Sequence, residues 1–288
     1  MKKVAIVTDT TACIPQEQVD RYNIEVIPVQ LIIEDRSYRD GIDITPKEFY
    51  TMLRQAKKMP TTSSSSPAPY LEAYRNASQK GRSIICFTEP AKFSAMFNAA
   101  NVARDIARTA LPDVSVEVIE CTTAAAGQGL VALSAARAAD ADNTLEGVMA
   151  IVHGIMPRIS LYATLDTLKY LARSGRVPQA AAMVNSVLNF KPVFTLNHAD
   201  PRTVALPRST KGAMKRILKM MDKEARGKPI HVAVMHADAL ENATELRNRI
   251  SDRFRCEELF ITEFTPVMGV HTGPGLLGVA FYTQETPK

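Results

Sequence analysis

The stretch Ser83–Glu120, SIICFTEPAKFSAMFNAANVARDIARTALPDVSVEVIE, decides the fold class. Ser83–Thr88 is a short apolar run with the look of a strand buried on both faces. Ser94–Leu111 places Phe97, Val102, Ile106 and Leu111 among polar residues, which predicts a helix. Val114–Glu120 returns to a strand pattern. Strand, helix and strand in that order form a crossover unit, so the two strands are expected to lie parallel. Working outward, Val4–Thr8 is another apolar strand, closed by the polar turn Asp9-Thr10-Thr11. Ile24–Ile33 reads as one strand, Asp43–Lys57 and Pro69–Gly81 as helices, and Ala124–Asp140 as an Ala-rich helix. Between the first two helices, Pro60–Pro67 is rich in hydroxyls and reads either as a flexible linker or as a short loop between structured segments. The alternation predicts an α/β domain with a largely parallel sheet over residues 1–155.

The second half has a different rhythm. Ser160–Leu165 reads as a strand, Asp166–Arg173 as a helix, Ser174-Gly175-Arg176 as a turn and Ala180–Leu188 as a helix. Lys191–Leu196 and Thr203–Leu206 resemble paired strands around Asn197–Pro201. The basic helix Thr210–Arg226, strand Ile230–Met235, helix Leu240–Asp252 and strands Cys256–Glu263 and Leu276–Tyr282 follow. This predicts a second, mixed-sheet α/β domain over residues 156–288, with no repeat at solenoid periods.

Composition narrows the function classes. The 288 residues are 46% apolar and 23% charged, which excludes disorder, collagen and coiled coil as the main architecture. Trp is absent and aromatics are 6%, so extended base-stacking surfaces are not expected. Of the net charge of +5, the stretch Arg202–Lys228 carries +7, with nine basic residues against Asp222 and Glu224. That stretch suggests an anionic ligand, partner or membrane surface, or simply a solvated helix face, which is the commoner case. It lacks a reader motif for nucleic acid, and no nucleic-acid partner is expected. Cys13, Cys86, Cys121 and Cys256 lie far apart, which points to reduced thiols and a cytoplasmic location rather than a zinc site or disulfides. The opening MKKVAIVTDTT reads as a strand rather than a signal core. The longest uncharged run, Phe264–Gln284, is broken by Pro, Gly and His271 and cannot be a continuous membrane helix.

No Walker A, GxGxxG, HExxH or GxSxG pattern is present. Three polar clusters remain. Thr62-Ser63 sits in the hydroxyl loop. Ser94 lies early in the helix after strand Ser83–Thr88, where open α/β sheets bind ligands, although a simple N-cap would look the same. His271 lies in the Gly/Pro-rich turn Val270–Gly275, a position that raises its functional odds. Arg176 and Arg208 could hold an anion or a docking partner, or be surface arginines. A hydrolase or transferase using Ser94 with His271 would need the two within hydrogen-bond reach. Aliphatic positions such as Leu161, Leu165, Leu188 and Phe194 read as ordinary core before pocket lining.

Taken in order, the motifs resemble the DegV family over nearly the whole chain. They are Asp9-Thr10-Thr11, Tyr38-Arg39-Asp40-Gly41-Ile42-Asp43, Pro60 leading to Thr62-Ser63, and Phe93-Ser94. Asp166–Leu171 with Ser174-Gly175-Arg176-Val177, Lys191-Pro192, Arg208-Ser209-Thr210-Lys211 and His271-Thr272-Gly273-Pro274-Gly275 complete the series. The resemblance implies a two-domain α/β fold with a long-chain fatty acid held between the domains. It implies that Thr62, Ser63, Ser94 and His271, with Thr272, bind the carboxylate. It further implies a non-enzymatic subunit, without its own ATP site or cofactor, that presents the fatty acid to a separate ATP-binding fatty acid kinase. The acyl phosphate product feeds phospholipid synthesis. Arg176 and Arg208 fall where the family's arginines would meet the phosphate or the kinase, and a basic surface near the mouth would favour transient membrane contact. The chain departs from the pattern at Ala95-Met96, where the family has Gly-Thr, at Glu89-Pro90-Ala91-Lys92, at Ser64-Ser65 and at Glu120-Cys121. Those departures predict an altered head-group site.

Overall fold

The computed structural model describes residues 2–63, 66–177, 180, 183 and 190–284. Strands β1 (Lys2–Asp9), β2 (Glu25–Ile27), β6 (Gly81–Thr88) and β7 (Ser115–Glu120) form an all-parallel sheet in the order β2-β1-β6-β7. A second sheet of six strands runs β10-β9-β8-β13-β11-β12. Its members are β8 (Ser160–Thr164), β9 (Val193–Asn197), β10 (Asp200–Ala205), β11 (Ile230–His236), β12 (Cys256–Glu263) and β13 (Leu277–Thr283). Only the β11–β12 pair is parallel, so the sheet is mixed as expected. A small antiparallel sheet joins β4 (Arg36–Arg39), β3 (Gln30–Ile33) and β5 (Thr61–Thr62).

The period-two alternation of the strands assigns each face a partner. On the parallel sheet, Ala5, Val7, Ile84 and Cys86 face helices α3 (Pro67–Ser78) and α4 (Met96–Ala110), packing on Tyr70, Tyr74 and Ala100. Val4, Ile6, Ile85 and Phe87 face the other way, onto α5 (Ala126–Asp140). The mixed sheet turns Leu161, Ala163, Ala233 and Met235 toward the same helix. Its Val232, Val234, Val279 and Phe281 cover α8 (Thr210–Ala225) and α9 (Leu240–Ser251). Helix α5 is therefore clasped by both sheets, and one core runs through it. Its sequence, AGQGLVALSAARAAD, suits that place, because small side chains let sheet and helix approach closely. A Cβ on Gly129 would press on the Ala12 carbonyl, and one on Gly127 would meet Thr123.

Several boundaries differ from the sequence reading, each for a visible reason. The expected strand Ile24–Ile33 breaks at Pro28 into β2 and β3, which belong to different sheets. The hydroxyl-rich segment contributes β5, paired to Leu31 and Ile32, so its described part is an edge strand. The helix expected from Asp43 starts at Pro46, because Thr45 and Glu48 form a capping box. Three α-helices among the described residues were not anticipated, Gln16–Tyr22 (α1), Leu145–Ile155 (α6) and the short Pro266–Thr272. The paired strands Val193–Asn197 and Asp200–Ala205 close through His198 and Ala199, both left-handed (φ +53° and +54°). The helix expected at Ala180–Leu188 lies mostly outside the described residues. No helix among the described residues is long and apolar enough to cross a membrane.

Candidate functional site

The strand ends, the start of α4 and a short helix converge on one cavity between the two sheets. Leu161 and Ala163 of β8, Phe194 and Leu196 of β9 and Met235 of β11 form its floor. Ala124 and Ala125 at the entrance to α5, with Phe93 before α4, close the other side. Leu171 of α7 (Lys169–Ser174) and Met268 of α10 (Pro266–Thr272) complete the apolar lining. The empty space is about 890 Å³, its open mouth included. Leu161, Leu165 and Phe194 are buried members of the core around α5, as expected, and also line this cavity; Leu188 lies outside the described residues.

The charged and imidazole side chains of this lining are Glu89, Arg176 and His271. Each arrives by a separate element. Glu89 directly follows β6, and Thr88 holds the chain there by accepting the Cys121 N–H at 2.9 Å. The Pro90–Phe93 turn is closed by a Phe93 N–H···O bond to Pro90 of 2.9 Å, and the Ala91 N–H donates to Glu120 Oε1 at 2.8 Å. Ser94 then accepts the Met96 N–H at 3.2 Å one residue ahead of the N-cap Ala95, so it closes the turn into α4 and is not the N-cap itself. Met96 is buried in the core beneath α4, so its departure from the family pattern does not face the cavity. The Ser94 hydroxyl, itself outside the cavity lining, pulls the Glu89 carboxyl down. Among the described residues Ser94 makes no hydrogen bond to His271, and the two form no nucleophile–base pair.

Glu89 is only 8% exposed. Burial, with Asp9 adding like charge, pushes its carboxyl up to about 7, against the pull of the Ser94 hydroxyl and Arg176. His271 is pushed down to about 4 by burial and by the cationic Arg176, so it is neutral at physiological pH. Its Nδ1 is buried without a hydrogen-bond partner. Arg176 follows the Ser174-Gly175 turn, where its guanidinium donates to the Ser174 carbonyl at 2.7 Å and stays exposed at the mouth.

His271 and Thr272 are in the last turn of α10, not in a loop as the Gly/Pro pattern suggested. The turn beyond them is interlocked with the Asp166–Leu171 segment. Gly273 has φ +69°, and a Cβ there would overlap the Tyr170 ring. Gly275 has φ +88°, and a Cβ there would overlap the Asp166 carboxylate, which holds Lys191 Nζ at 2.7 Å. On its other side α10 lies against α2 (Pro46–Gln55), where a Cβ on Gly269 would come 2.6 Å from Phe49. Thr272 lines the cavity while its hydroxyl donates back to the Met268 carbonyl at 3.2 Å.

The remaining candidates lie around this centre. Thr62 ends β5, which packs against α10, and the Ser63 N–H donates to Gln30 at 3.0 Å. Both are half-buried, and neither is on the cavity lining. Arg208 is exposed, outside the lining, with its guanidinium 5.5 Å above the Phe190 ring. The basic helix α8 is amphipathic: Met214, Ile217 and Met221 are buried, and Lys215, Arg216 and Lys219 are exposed. It covers the face of the mixed sheet opposite the cavity, so its charge does not ring the mouth. Glu89 is the residue the sequence reading passed over as a site member. Its signal was a carboxylate in the strand-end position where a sheet of this type gathers ligands.

The sequence profile of the DegV family of uncharacterised proteins matches residues 3–284. A DegV domain-containing protein of Caldanaerobacter subterraneus subsp. tengcongensis is 30% identical over 282 residues, 98% of this chain and 99% of that protein. A DegV family protein of Thermus thermophilus, described by its fatty acid binding, superposes with a TM-score of 0.90 at 28% identity, covering 99% of this chain and 100% of its own. DegV of Bacillus subtilis, described as a fatty acid binding protein, gives 0.87 at 26% identity with the same coverage.

Proposed function

The chain belongs to the DegV family, and on that premise we propose that it binds a long-chain fatty acid and presents the carboxyl group to a separate ATP-dependent kinase. The observation that carries the reading is the cavity itself, apolar along its length with its ionisable groups drawn from Glu89, Arg176 and His271. A saturated tail of about fifteen apolar carbons gains on the order of 12 kcal/mol gross on burial, at about 0.8 per methylene. Immobilising both partners removes much of that gain. The tail thus supplies affinity, and the polar residues decide which end faces out.

Ser94 stands at the positive N-terminal end of α4, and His271 offers an unpaired nitrogen. With Thr62 at the end of β5, Ser63 just beyond it and Thr272 on α10, these groups are proposed to hold the carboxyl by hydrogen bonds. Arg176 at the mouth is proposed to neutralise charge as the acyl phosphate forms, and the exposed Arg208 to meet the kinase. We place the boundary of the two domains at 155/156, with the cavity between them and α5 packed on both sheets. The protein is proposed to act in the cytoplasm, passing acyl phosphate to phospholipid synthesis. The Ser94 oxygen accepts the Met96 N–H and has no hydrogen bond to His271 among the described residues, which supports binding over hydrolysis.

Native mass spectrometry of the purified chain, followed by organic extraction, tests the reading. A stoichiometric fatty acid is the expected result. An empty protein that also takes up no added palmitate would overturn it.

A further inference from the structure

We propose that Glu89 sets head-group specificity by sharing one proton with the bound carboxyl, so that fatty acid binding takes up a proton once Glu89 is ionised. The inference rests on the fatty-acid reading above and concerns the same cavity. Its starting point is a conflict of charge. Glu89 is buried, lines the cavity that would take an anion, and faces the groups proposed to hold that anion. Two carboxylates brought together out of water do not both stay ionised; one proton between them turns repulsion into a strong hydrogen bond.

The hydroxyl of Ser94 sharpens the conflict. A serine has one proton to donate. Its oxygen accepts the Met96 N–H, and its proton is drawn toward Glu89 while that group is ionised, the direction in which Ser94 pulls the Glu89 carboxyl. An ionised Glu89 therefore repels the ligand and also occupies the donor the ligand needs. A protonated Glu89 can itself donate to the ligand carboxylate and leaves the Ser94 proton free.

The charged and titratable surroundings favour the protonated form. Asp9 at the end of β1 adds negative charge. Glu120 at the end of β7 accepts the Ala91 N–H, and the Cys121 thiol beside it is kept neutral by burial. His271 on α10 is neutral, and the Lys92 ammonium is turned to the Ala199 carbonyl at 3.3 Å. Arg176 is the cation that acts on Glu89. Burial with Asp9 outweighs it, and the Glu89 carboxyl of the free protein sits near 7.

The proton balance gives a signed expectation. Below that value the free protein already carries the proton, and binding a carboxylate exchanges none. Above it, ionised Glu89, carboxylate and one solvent proton combine, so the dissociation constant for palmitate rises about tenfold per pH unit. The Glu89→Gln variant, with a permanent donor in place of the acid, is expected to show no such rise. Measuring both proteins against the same palmitate solutions between about pH 6 and pH 9 cancels the ligand's own aggregation. Hexadecanol, whose hydroxyl can donate to ionised Glu89, is expected to keep its affinity across the range.

Calorimetry of palmitate binding to the wild-type chain, in two buffers of different ionisation heat at about pH 8, reads the proton directly and does not depend on the variant folding. Uptake close to one proton supports the proposal. Zero uptake, or a variant with the same pH slope as wild type, overturns it while leaving fatty acid binding intact. Failure to bind palmitate at every pH overturns the fatty-acid reading, and the role of Glu89 with it.

Discussion

Replacing Gly273 by alanine tests how the helix that carries His271 is held. Gly273 ends α10 with φ +69° and ψ 178°, a region that is essentially glycine's own. An alanine there carries strain of roughly 1–3 kcal/mol. The new Cβ also overlaps the Tyr170 ring, and overpacking of this kind costs a further 1–3 kcal/mol or so. The sum, about 2–6 kcal/mol, lowers the melting temperature by roughly 5–20 °C in a chain of this size. Gly175 is the control. It also ends a helix with positive φ (+71°), but its ψ is −1° and nothing lies within 4 Å of its missing Cβ. Gly175→Ala should cost only about 1–2 kcal/mol. A third protein separates strain from clash: in a Tyr170→Ala background the ring is gone, and the cost of Gly273→Ala should fall by about 1–3 kcal/mol. Differential scanning calorimetry of the four variants and the wild type measures all of this. Equal melting temperatures for Gly273→Ala and Gly175→Ala, or no relief from Tyr170→Ala, would refute the reasoning.

Other expectations follow from the same geometry. Ala163→Phe places a ring on the cavity floor and should shift preference toward shorter chains, with palmitate losing about fourfold in affinity for each methylene displaced, read by competition against a fluorescent fatty acid. Ser94→Ala and His271→Ala should each weaken palmitate by roughly 10–100-fold at acid-to-neutral pH, the value of a hydrogen bond to a charged group, without changing chain-length preference. Arg208→Ala leaves the cavity lining untouched, so palmitate binding should be unchanged while acyl phosphate formation with an added kinase subunit falls. Asp40 is fully buried, accepts the Val267 N–H at 3.2 Å and is pushed up to about 7. A folded-state value raised above the unfolded one near 4 means that this group's contribution declines as pH climbs from about 4 to about 7, so Asp40→Asn should flatten that part of the stability profile in urea titrations.

The elements most legible in the sequence were those whose burial is two-sided or strongly periodic. Ser83–Thr88, Ile230–Met235 and the amphipathic α8 fall into this class, because their side-chain pattern is the direct image of their packing. What stayed hidden depended on distant partners. β5 is two residues long and exists because Leu31 and Ile32 offer an edge. The placement of His271 on a helix could not be read from Gly273-Pro274-Gly275, since those residues mark where the helix stops and not where it starts. Whether Leu161, Leu165 and Phe194 were core or lining was undecidable locally. An apolar side chain carries no mark of whether its neighbour is protein or ligand. Glu89 was readable as an oddity in an apolar context, but its meaning required Ser94, Arg176 and His271 to be in place around it.

The cavity is a consequence of how α5 is used. Two sheets clasping one helix stand apart by about a helix diameter, ~10 Å, and that gap must be filled along its length. Within α5 it is filled by a helix rich in alanine and glycine, packed tightly enough that Gly129 admits no Cβ. At the entrance to α5 the filling gives out. Ala125 turns the chain into the helix with φ +52° and ψ −138°, an arrangement alanine rarely adopts, and Ala124 and Ala125 present only methyl groups to the space beside them. Strain of this kind persists where the surroundings over-determine it, here between β7 and a helix locked on both faces. The same small residues that let the sheets close on α5 leave them unfilled at its start. The end of β6 brings Glu89 to the lining of that gap, and the turn after α7 brings Arg176, so its ionisable groups reach it from two separate elements.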